Sequence, residues 1–269
     1  MPDLGRGREM TSSVLESGTA SERWLAVDRA RMWEKAEIVG VDRRAAATRL
    51  RLRLAEAPEV LAGQYYLIRL AVDAPPGVVE QAYSLCSSPP GPEVEIAVRD
   101  VPDGRASRVL ARQVEVGDLL QVRGPYGFLT WTEADGGPVG LVGAGTGVAP
   151  LAAIVRYAAA RRLEVPMTLL CSSRDRTTAL LGDELEELDR RLPWFRLVRT
   201  YTRSTQDRSA RYRRRIDADM LAEVFEASED ALRPITYYVA GPGDMVITTR
   251  AMLGSLGVAD DAIYSEDHA

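Results

Sequence analysis

The sequence predicts a two-domain protein, in which an antiparallel β-barrel is followed by an α/β domain with a parallel, doubly wound sheet. Between Trp33 and Phe128, short stretches alternate apolar and polar residues, as in "RLRLRL" (49–54). That two-residue period is typical of a strand with one face in water. After "EADGGP" (133–138) the apolar residues run together, as in "PVGLVGA", which indicates strands buried on both faces. A chain of 269 residues is long enough for two separate cores.

The first half contains six predicted strands and one short helix. Turn-rich breaks such as "DAPPG" and "VPDG" separate the strands, and "RASRVLARQ" has the period of a helix. Six short strands at this spacing predict a small antiparallel barrel or sandwich. The predicted strands are "AEIVGVD", "TRLRLRLA", "QYYLIRLAV", "EQAYSLC", "EVEIAVRD" and "DLLQVRG".

The second half alternates apolar strands with helices. The strand-like stretches are "PVGLVGA", "PMTLLCSS", "FRLVRTY", "ITYYVAGP" and "AIYSED", and a helical stretch separates each from the next. Repeated β-α units predict a parallel sheet, and such sheets bind ligands at the carboxyl ends of their strands. The loops expected to carry a site are therefore 143–150, 172–177, 203–215 and 240–245.

Changes in composition place the domain boundaries. We expect a disordered extension rich in Gly, Ser, Glu and Arg over residues 1–30, the barrel over 31–132 and the α/β domain over 137–269. The extension has no apolar core and does not resemble a signal peptide. No stretch approaches the run of about 20 apolar residues that a membrane span needs. We therefore expect no membrane span and a cytoplasmic location.

The residue counts remove several classes of function. The formal net charge of −5 argues against a nucleic-acid partner, which would favour a basic domain. His268 is the only histidine, which argues against histidine zinc sites and an internal Ser-His-Asp triad. Cys86 and Cys171 are the only cysteines, too few for a four-cysteine iron–sulfur or zinc site. No metal site is therefore expected, and redox chemistry would need an organic cofactor.

Glycines follow the first buried strand in "LVGAGTGVAP". Gly143, Gly145 and Gly147 stand between this strand and the next helix, where the backbone can approach a pyrophosphate and the helix N-terminus offers free N–H groups. Their spacing is G-x-G-x-G rather than the G-x-G-x-x-G of the dinucleotide fingerprint. The pattern predicts phosphate binding, and a tight turn without a ligand is the alternative.

Arginines follow the next two strands. Arg174 comes after "CSS" and Arg203 ends "TYTR", so both are expected at one edge of the sheet. Arginine suits the 2′-phosphate of NADP, whereas a site for NAD tends to place a carboxylate on the ribose. The pair favours NADP, Asp175 argues against it, and solvated loop arginines are the alternative.

A second helix start, in "DGRASRVL", is a candidate anion site. Gly104 precedes its first turn, and Ser107 places a hydroxyl within it. The N–H groups and the dipole at a helix start favour an anion here by the same argument. A capped connecting helix is the alternative.

Taken together, these motifs resemble those of the ferredoxin–NADP reductase superfamily. The resemblance covers residues 33–269, and although each motif alone is weak, seven in the family's order are specific. In that family a flavin-binding barrel precedes a pyridine-nucleotide domain, which agrees with the two patterns above. The matching stretches are "GQYYLIRL", "AYS", "GRASRVL", "GDLLQVRGPYGF", "GAGTGVAP", "AGPGDM" and the glutamate of "YSEDHA".

The resemblance implies roles for individual residues. Tyr83 would lie against the isoalloxazine ring of the flavin, and Ser84 would hydrogen-bond near its N5 atom. Ser84 and Glu266 are the candidate catalytic residues. The cofactor contacts would be Gln81, Tyr83, Ser84, Leu85, Ala97, Val98, Arg99, Gly104, Arg105, Ala106 and Ser107 for the flavin, and Gly145, Thr146, Gly147, Arg174, Arg203, Gly241, Pro242 and Met245 for the nicotinamide nucleotide.

Three positions depart from the family pattern. Gln81 stands where relatives have an arginine that pairs with the flavin phosphate, which removes a charge-assisted hydrogen bond of about 1.5–3 kcal/mol. Arg99 or Arg105 is a candidate replacement. Ala240 replaces the usual cysteine beside the nicotinamide, and the sequence ends in "SEDHA" without the aromatic residue that often covers the flavin.

The resulting hypothesis is an NAD(P)H-dependent flavoprotein reductase. It would pass hydride from nicotinamide to flavin and then electrons to a separate ferredoxin, flavodoxin or oxygenase component. FAD is favoured over FMN, and NADPH over NADH. One alternative is a flavin reductase that uses flavin as a dissociable substrate, which Gln81 makes attractive. Another is a non-catalytic nucleotide-binding subunit of a larger complex, which Gln81 and Ala240 together motivate.

Overall fold

The computed structural model describes residues 33–55, 60–72, 77–87, 93–204, 206–226 and 235–268. The extension expected over residues 1–30 lies outside these ranges. Within them, no helix combines the length and the apolar character that crossing a membrane requires.

The described part of the first half forms an antiparallel barrel. Its strands are β1 (Glu34–Arg43), β2 (Thr48–Leu54), β3 (Tyr65–Ala71), β4 (Val78–Ser84), β5 (Glu93–Val98) and β6 (Leu119–Tyr126), and helix α1 (Arg105–Arg112) connects the last two. They lie in the order β4-β3-β6-β1-β2-β5. A bridge between Leu85 and Ile96 joins the two outer strands at one end, so the sheet curls towards closure. In β2 the leucines are buried and the arginines are directed outward, as their alternation predicts.

The described part of the second half forms a parallel five-stranded sheet. Its strands are β7 (Val139–Ala144), β8 (Met167–Ser173), β9 (Phe195–Tyr201), β10 (Thr236–Gly241) and β11 (Ile263–Asp267), and its helices are α2 (Val148–Ala160), α3 (Gly182–Arg191), α4 (Ala218–Glu226) and α5 (Gly243–Ser255). The order β11-β10-β7-β8-β9 places the first strand of this half at the centre of the sheet. The order in which strands are added therefore reverses between β7 and β10, which creates a crevice at their carboxyl ends. The predicted fold class is confirmed.

Helix α2 is buried on nearly every side and joins the two domains. Its residues share one apolar cluster with Leu141 and Leu169 of the parallel sheet and with Cys86 and Trp131 on the barrel side. The indole of Trp131 meets the ring of Tyr157 edge-on, with centroids 6.0 Å apart. The two domains thus share a continuous apolar interior, which places the start of α2 beside the barrel.

Candidate functional site

A cavity of about 600 Å³ lies at the junction of the two domains. Its walls combine the end of β4, the start of α1, residues 127–129, the loop before α2 and the end of β11. The predicted cofactor contacts and catalytic candidates on these walls are Gln81, Tyr83, Ser84, Ala97, Arg99, Gly104, Arg105, Ala106, Ser107, Thr146 and Glu266.

Tyr83 and Ser84 stand side by side at the end of β4, opposite Tyr66 and Tyr65 of β3. The hydroxyl of Tyr83 is buried and has no hydrogen-bond partner among the described residues. Burial also raises the pKa of this phenol, so the group is a neutral donor on the cavity wall. Because buried polar groups normally have partners, the unpaired hydroxyl of a residue that lines a cavity is one that a ligand can satisfy.

The start of α1 has the features of an anion site. Gly104 caps the helix without a side-chain hydrogen bond, and no acidic residue lies in the first turn. The hydroxyl of Ser107 is buried and unpaired within the described part of the chain. A Cβ on Gly104 would lie 2.0 Å from that oxygen, so only glycine leaves it room. Free N–H groups, the positive helix end and an unpaired hydroxyl fit the pyrophosphate of a flavin nucleotide.

The end of β11 contributes Glu266 and the only histidine of the chain. Glu266 lies opposite Ala240 of β10, and the backbone N–H of His268 donates to the carbonyl of Gly241 at 2.8 Å. The Nε2 atom of His268 lies 3.1 Å from Glu266 Oε1 and 3.5 Å from Ser84 Oγ. Because both contacts use the same ring nitrogen, the three residues do not form a catalytic triad, in which the histidine uses both nitrogens. The arrangement can instead hold a proton between a hydroxyl and a carboxylate.

His268 was not among the predicted site residues, although it lines the cavity. The available signal was the register of the last strand. A strand that places Glu266 on the cavity side carries the residue two positions later to the same side. An imidazole therefore lies on the cavity wall directly after β11.

The glycine loop, which we define as residues 143–147, lies where β7 and β10 end. Residues Gly145–Gly147 form a 3₁₀ turn, in which Gly145 has a φ of 60°. A Cβ on Gly147 would lie 2.3 Å from the carbonyl carbon and oxygen of Ala240. One on Gly241 would lie 2.6 Å from Met245 Cε. Helix α2 has no side-chain cap at its start. Close backbone packing and uncapped N–H groups together suit the pyrophosphate of a dinucleotide.

Arg174 and Arg203 follow β8 and β9, and a hydrogen bond of 2.8 Å from the Arg203 N–H to the Arg174 carbonyl joins their loops. Both side chains are exposed. The carboxylate of Asp175 accepts hydrogen bonds from Thr177 Oγ1 at 2.7 Å and from the Thr178 N–H at 2.9 Å. These bonds, that of Thr177 above all, hold the pKa of the carboxyl below its ordinary value. The carboxylate of Asp175 is thus already hydrogen-bonded within its own loop.

Arg99, a candidate for the flavin phosphate, is directed towards the α/β domain. Its Nη2 atom donates to the carbonyl of Thr178 at 2.8 Å. Its Nη1 atom lies 3.6 Å from the point that a Cβ on Gly145 would occupy. Burial, and then the charge of Arg174, lower its pKa. Arg99 therefore reaches from the flavin-side wall to two loops of the parallel sheet.

The remaining predicted contacts lie away from this cavity. The side chains of Leu85 and Val98 belong to the barrel core, so only their backbone atoms can face a cofactor. Pro242 caps α5 and accepts a hydrogen bond from the Met245 N–H. The predicted nucleotide contacts at the carboxyl edge of the parallel sheet that do not line the cavity are Gly145, Gly147, Arg174, Arg203, Gly241, Pro242 and Met245.

The described residues contain no group of three or more His, Cys, Asp or Glu side chains able to hold a metal ion. Both cysteines are free and buried. Burial raises the pKa of both thiols, that of Cys171 to about 11. The polar groups at the cavity are hydroxyls, two carboxylates, an imidazole, an amide and two guanidiniums, which suit an organic cofactor.

Two family matches cover most of the chain. Residues 34–131 match the oxidoreductase FAD-binding domain, and residues 141–251 match the oxidoreductase NAD-binding domain. The chain is 31% identical over 240 residues to the electron transfer component of 2-halobenzoate 1,2-dioxygenase from Burkholderia cepacia, covering 87% of this chain and 67% of that protein. It is 27% identical over 172 residues to the reductase component of propane 2-monooxygenase from Mycolicibacterium smegmatis, covering 64% and 49%.

A solved structure has the same architecture. The Amycolatopsis cytochrome P450 reductase GcoB is 27% identical, with a TM-score of 0.74 over 88% of this chain and 69% of that chain. The chain spans about half to two thirds of the length of these relatives. The FAD-binding and NAD-binding domains and these relatives identify an NAD(P)H-dependent flavoprotein oxidoreductase. The chain belongs to the ferredoxin–NADP reductase superfamily, as its motifs indicate.

Proposed function

We propose that this chain is the reductase of a multicomponent electron-transfer system, which takes hydride from NADPH and delivers electrons to a separate acceptor protein. The observation that carries the proposal is the cavity in which Ser84, Glu266 and the start of α1 meet the glycine loop. FAD is the assigned cofactor, because the helix start offers the unpaired hydroxyl of Ser107 to a pyrophosphate. Bound FAD would accept two electrons as a hydride and return them one at a time.

The residues of the cavity divide into two roles. Tyr83 would give a bound flavin a flat face and a neutral hydroxyl, while Gly104 and Ser107 would hold its phosphates. Ser84 and Glu266, linked through the Nε2 atom of His268, would hold a proton on the cavity wall that the flavin contacts. We assign the barrel, residues 31–132, to flavin binding and residues 137–269 to nucleotide binding.

NADPH is the proposed donor because two arginines extend from neighbouring loops while Asp175 is occupied by Thr177 and Thr178. In Arg174→Ala, kcat/KM for NADPH should fall about tenfold or more, since a charge-assisted hydrogen bond is lost. The value for NADH should change little. Arg176→Ala is the matched control, because Arg176 is exposed in the same loop and already pairs with Glu186 at 3.1 Å. Equal use of both nucleotides by the wild type would contradict the proposal.

The proposed acceptor is a ferredoxin, flavodoxin or oxygenase component. Supporting this, the relatives described above are an electron transfer component of a dioxygenase and a reductase component of a monooxygenase. Electron delivery can be measured by mixing the reduced protein with purified candidates and following the spectrum of each. Ferricyanide serves as an acceptor that needs no docking surface.

Gln81 supports a second candidate function, a flavin reductase that releases its flavin as a substrate. The visible spectrum of the purified protein, followed by anaerobic addition of NADPH, separates the possibilities. A yellow protein that bleaches supports bound FAD. A colourless protein that turns over added flavin supports the flavin reductase. Absence of NADPH oxidation with both flavin and ferricyanide present would leave the non-catalytic subunit.

A further inference from the structure

Four charged side chains meet where the two domains touch. Arg49 on β2 and Glu95 on β5 come from the barrel, whereas Arg156 on α2 and Glu184 in the first turn of α3 come from the α/β domain. Arg49 lies 3.1 Å from Glu95 and 3.0 Å from Glu184. Arg156 lies 2.9 Å from Glu95 and 2.5 Å from Glu184. Each arginine thus pairs with a glutamate of both domains, and we call these four residues the charge cluster.

Arg156 is at the centre of this cluster because it is a charged residue on a helix that is otherwise apolar and largely buried. It is the only charged residue of α2, whose other residues are nearly all buried. Its side chain is 15% exposed and that of Glu95 is 12% exposed, so neither charge can rely on water. Glu184 holds Arg156 through two bonds of 2.5 and 2.6 Å. The remaining Nη1 atom is thereby aimed across the boundary at Glu95 and the carbonyl of Cys86.

The charges of the cluster depend on one another. Burial opposes the charge on Glu95, but the charges and hydrogen bonds of Arg156 and Arg49 outweigh burial and hold its pKa below the ordinary 4.5. The two guanidinium groups therefore stabilise the charged form of Glu95. Removing one member would leave an uncompensated charge in a largely buried place.

Short stretches of chain connect the cluster to the cofactor site. Cys86, whose carbonyl takes part, lies two residues after Ser84. Glu95 lies on the strand that leads to Arg99 on the cavity wall. Arg156 lies on the helix that begins at the glycine loop. A movement of α2 against β5 would therefore move the nucleotide loop relative to the flavin side of the cavity.

We propose that the charge cluster fixes the orientation of the α/β domain against the barrel, and that Arg156 is a positioning residue for hydride transfer. The hydride part rests on the proposed function, whereas the orientation part rests on the ion pairs alone. The shared apolar interior holds the domains together but is non-directional, while charge-assisted hydrogen bonds have a fixed geometry. Orientation matters because a displacement of about 1 Å can reduce a reaction rate about 100-fold.

The first test measures orientation in the protein without cofactors. Spin labels are attached to Val116→Cys on the barrel and Leu256→Cys on the α/β domain, which are 63% and 44% exposed, while the native cysteines are buried. Pulsed electron paramagnetic resonance then gives the distance distribution between the labels. We expect a narrow distribution in the otherwise wild-type chain and a broader or shifted one in Arg156→Met. An unchanged distribution in Arg156→Met overturns the proposal.

Arg53→Met is the matched control. Arg53 pairs with Glu93 at 2.8 Å on the same two strands as Arg49 and Glu95, but its side chain is 51% exposed and the pair lies within the barrel. Its removal should leave the distance distribution unchanged. Broadening as large as in Arg156→Met would overturn the assignment of orientation to the cluster.

The second test measures the anaerobic rate of flavin reduction at saturating NADPH, together with the dissociation constants of FAD and NADP. In Arg156→Met the rate should fall about tenfold or more while both constants stay nearly unchanged. Arg156→Lys keeps the charge but not the two-pronged contact, so an intermediate rate is expected. A residue that only stabilised the fold would lower the melting temperature without changing the rate per flavin-loaded molecule. An unchanged rate overturns the positioning role.

The two tests separate this inference from the proposed function. A wild type that never reduces flavin with NADPH ends the proposed function and the hydride part, and the label distances still decide the orientation part. Arg49→Gln serves if Arg156→Met does not fold, because Arg49 is 26% exposed and its loss is less severe. The same broadening is expected, and a narrow distribution in Arg49→Gln overturns the proposal.

Discussion

The two candidate phosphate sites of this molecule both lie at helix starts, but side chains surround one of them and main-chain atoms surround the other. At the start of α1, the unpaired group is the side chain of Ser107, and side chains limit the space around Gly104. At the start of α2, the backbone of Gly147 lies directly against the backbone of Ala240. One site is therefore closed by side chains and the other by main chain.

This difference determines how each site responds to change. A side chain can rotate when a neighbour is altered, so the flavin-side site should lose affinity in steps of single hydrogen bonds. The main chain of β10 cannot move without disturbing the strands on both sides of it. Nucleotide binding should therefore fall sharply when any side chain is added at Gly147, where the two backbones are closest.

The largest effect is expected for Gly147→Ala. The new Cβ would lie 2.3 Å from the carbonyl carbon and oxygen of Ala240, so β10 or the loop must shift. Overpacking of this kind costs about 1–3 kcal/mol of unfolding free energy. Binding of NADP should weaken at least about tenfold, because the loop that faces the pyrophosphate is displaced. Denaturant unfolding and calorimetric titration with NADP measure the two effects.

Gly254→Ala is the control for this substitution. Gly254 lies in α5, and a Cβ there would meet nothing within 4 Å. Alanine is favoured over glycine by about 0.5–1 kcal/mol in a helix interior and by less in the last turn, where Gly254 lies, so this variant should be no less stable and should bind NADP normally. If Gly147→Ala behaves in the same way, main-chain contact is not what closes the nucleotide site.

A second effect is expected for Ser107→Ala, and it falls on cofactor binding alone. Loss of a hydrogen bond to a charged phosphate costs about 1.5–3 kcal/mol, which corresponds to about 10–100-fold weaker FAD binding. The protein without FAD should be no less stable, because the hydroxyl is buried and unpaired within the described chain. Flavin fluorescence titration gives the affinity, and Ser255→Ala at the exposed end of α5 is the control. Unchanged FAD affinity would remove Ser107 from the site.

The strands and the helix starts were predictable because each carries a local signal. In β2 the alternating leucines and arginines determine which face is buried, and β7 is buried along nearly its whole length, as its apolar run indicates. The helix starts that carry the two candidate phosphate sites were predictable for the same reason, since glycines directly before a helix determine the local backbone. These features depend on residues that are neighbours in sequence.

The charge cluster and the position of His268 were not predictable, because they depend on contacts between distant residues. Arg156 and Glu95 are 61 positions apart, and Ser84 and His268 are 184 positions apart. One signal was present for the cluster. A single arginine in an otherwise apolar helix predicts a buried partner, although the sequence does not say which carboxylate provides it.

The substitution Gln81→Arg should increase the affinity of the flavin-side site for FAD. Gln81 lies on the cavity wall near the end of β4. An arginine there would add a charged partner for the flavin phosphate, and FAD should bind about tenfold more tightly. The variant should also retain more flavin through purification, which its visible spectrum measures. If the affinity for FAD does not rise, Arg99 or Arg105 already supplies that charge, and Gln81 does not weaken the flavin site.

The last effect is a pH dependence and concerns the charge cluster, which we propose fixes the relative orientation of the two sites. The pKa of Glu95 is lowered in the folded protein, so the unfolded chain binds a proton more readily. The stabilisation from its charge is therefore complete above the ordinary pKa of 4.5 and is lost as the pH falls through the lower folded pKa. The difference in unfolding free energy between wild type and Glu95→Gln should shrink in that window, with a slope of at most about 1.4 kcal/mol per pH unit.

Urea unfolding at a series of pH values measures this difference, and Glu93→Gln is the matched control. Glu93 pairs with Arg53 on the same two strands, where solvent screens the pair and little stability depends on it. Its difference from wild type should be small at every pH. If the two variants give the same profile, the cluster stabilises the junction no more than a surface pair does.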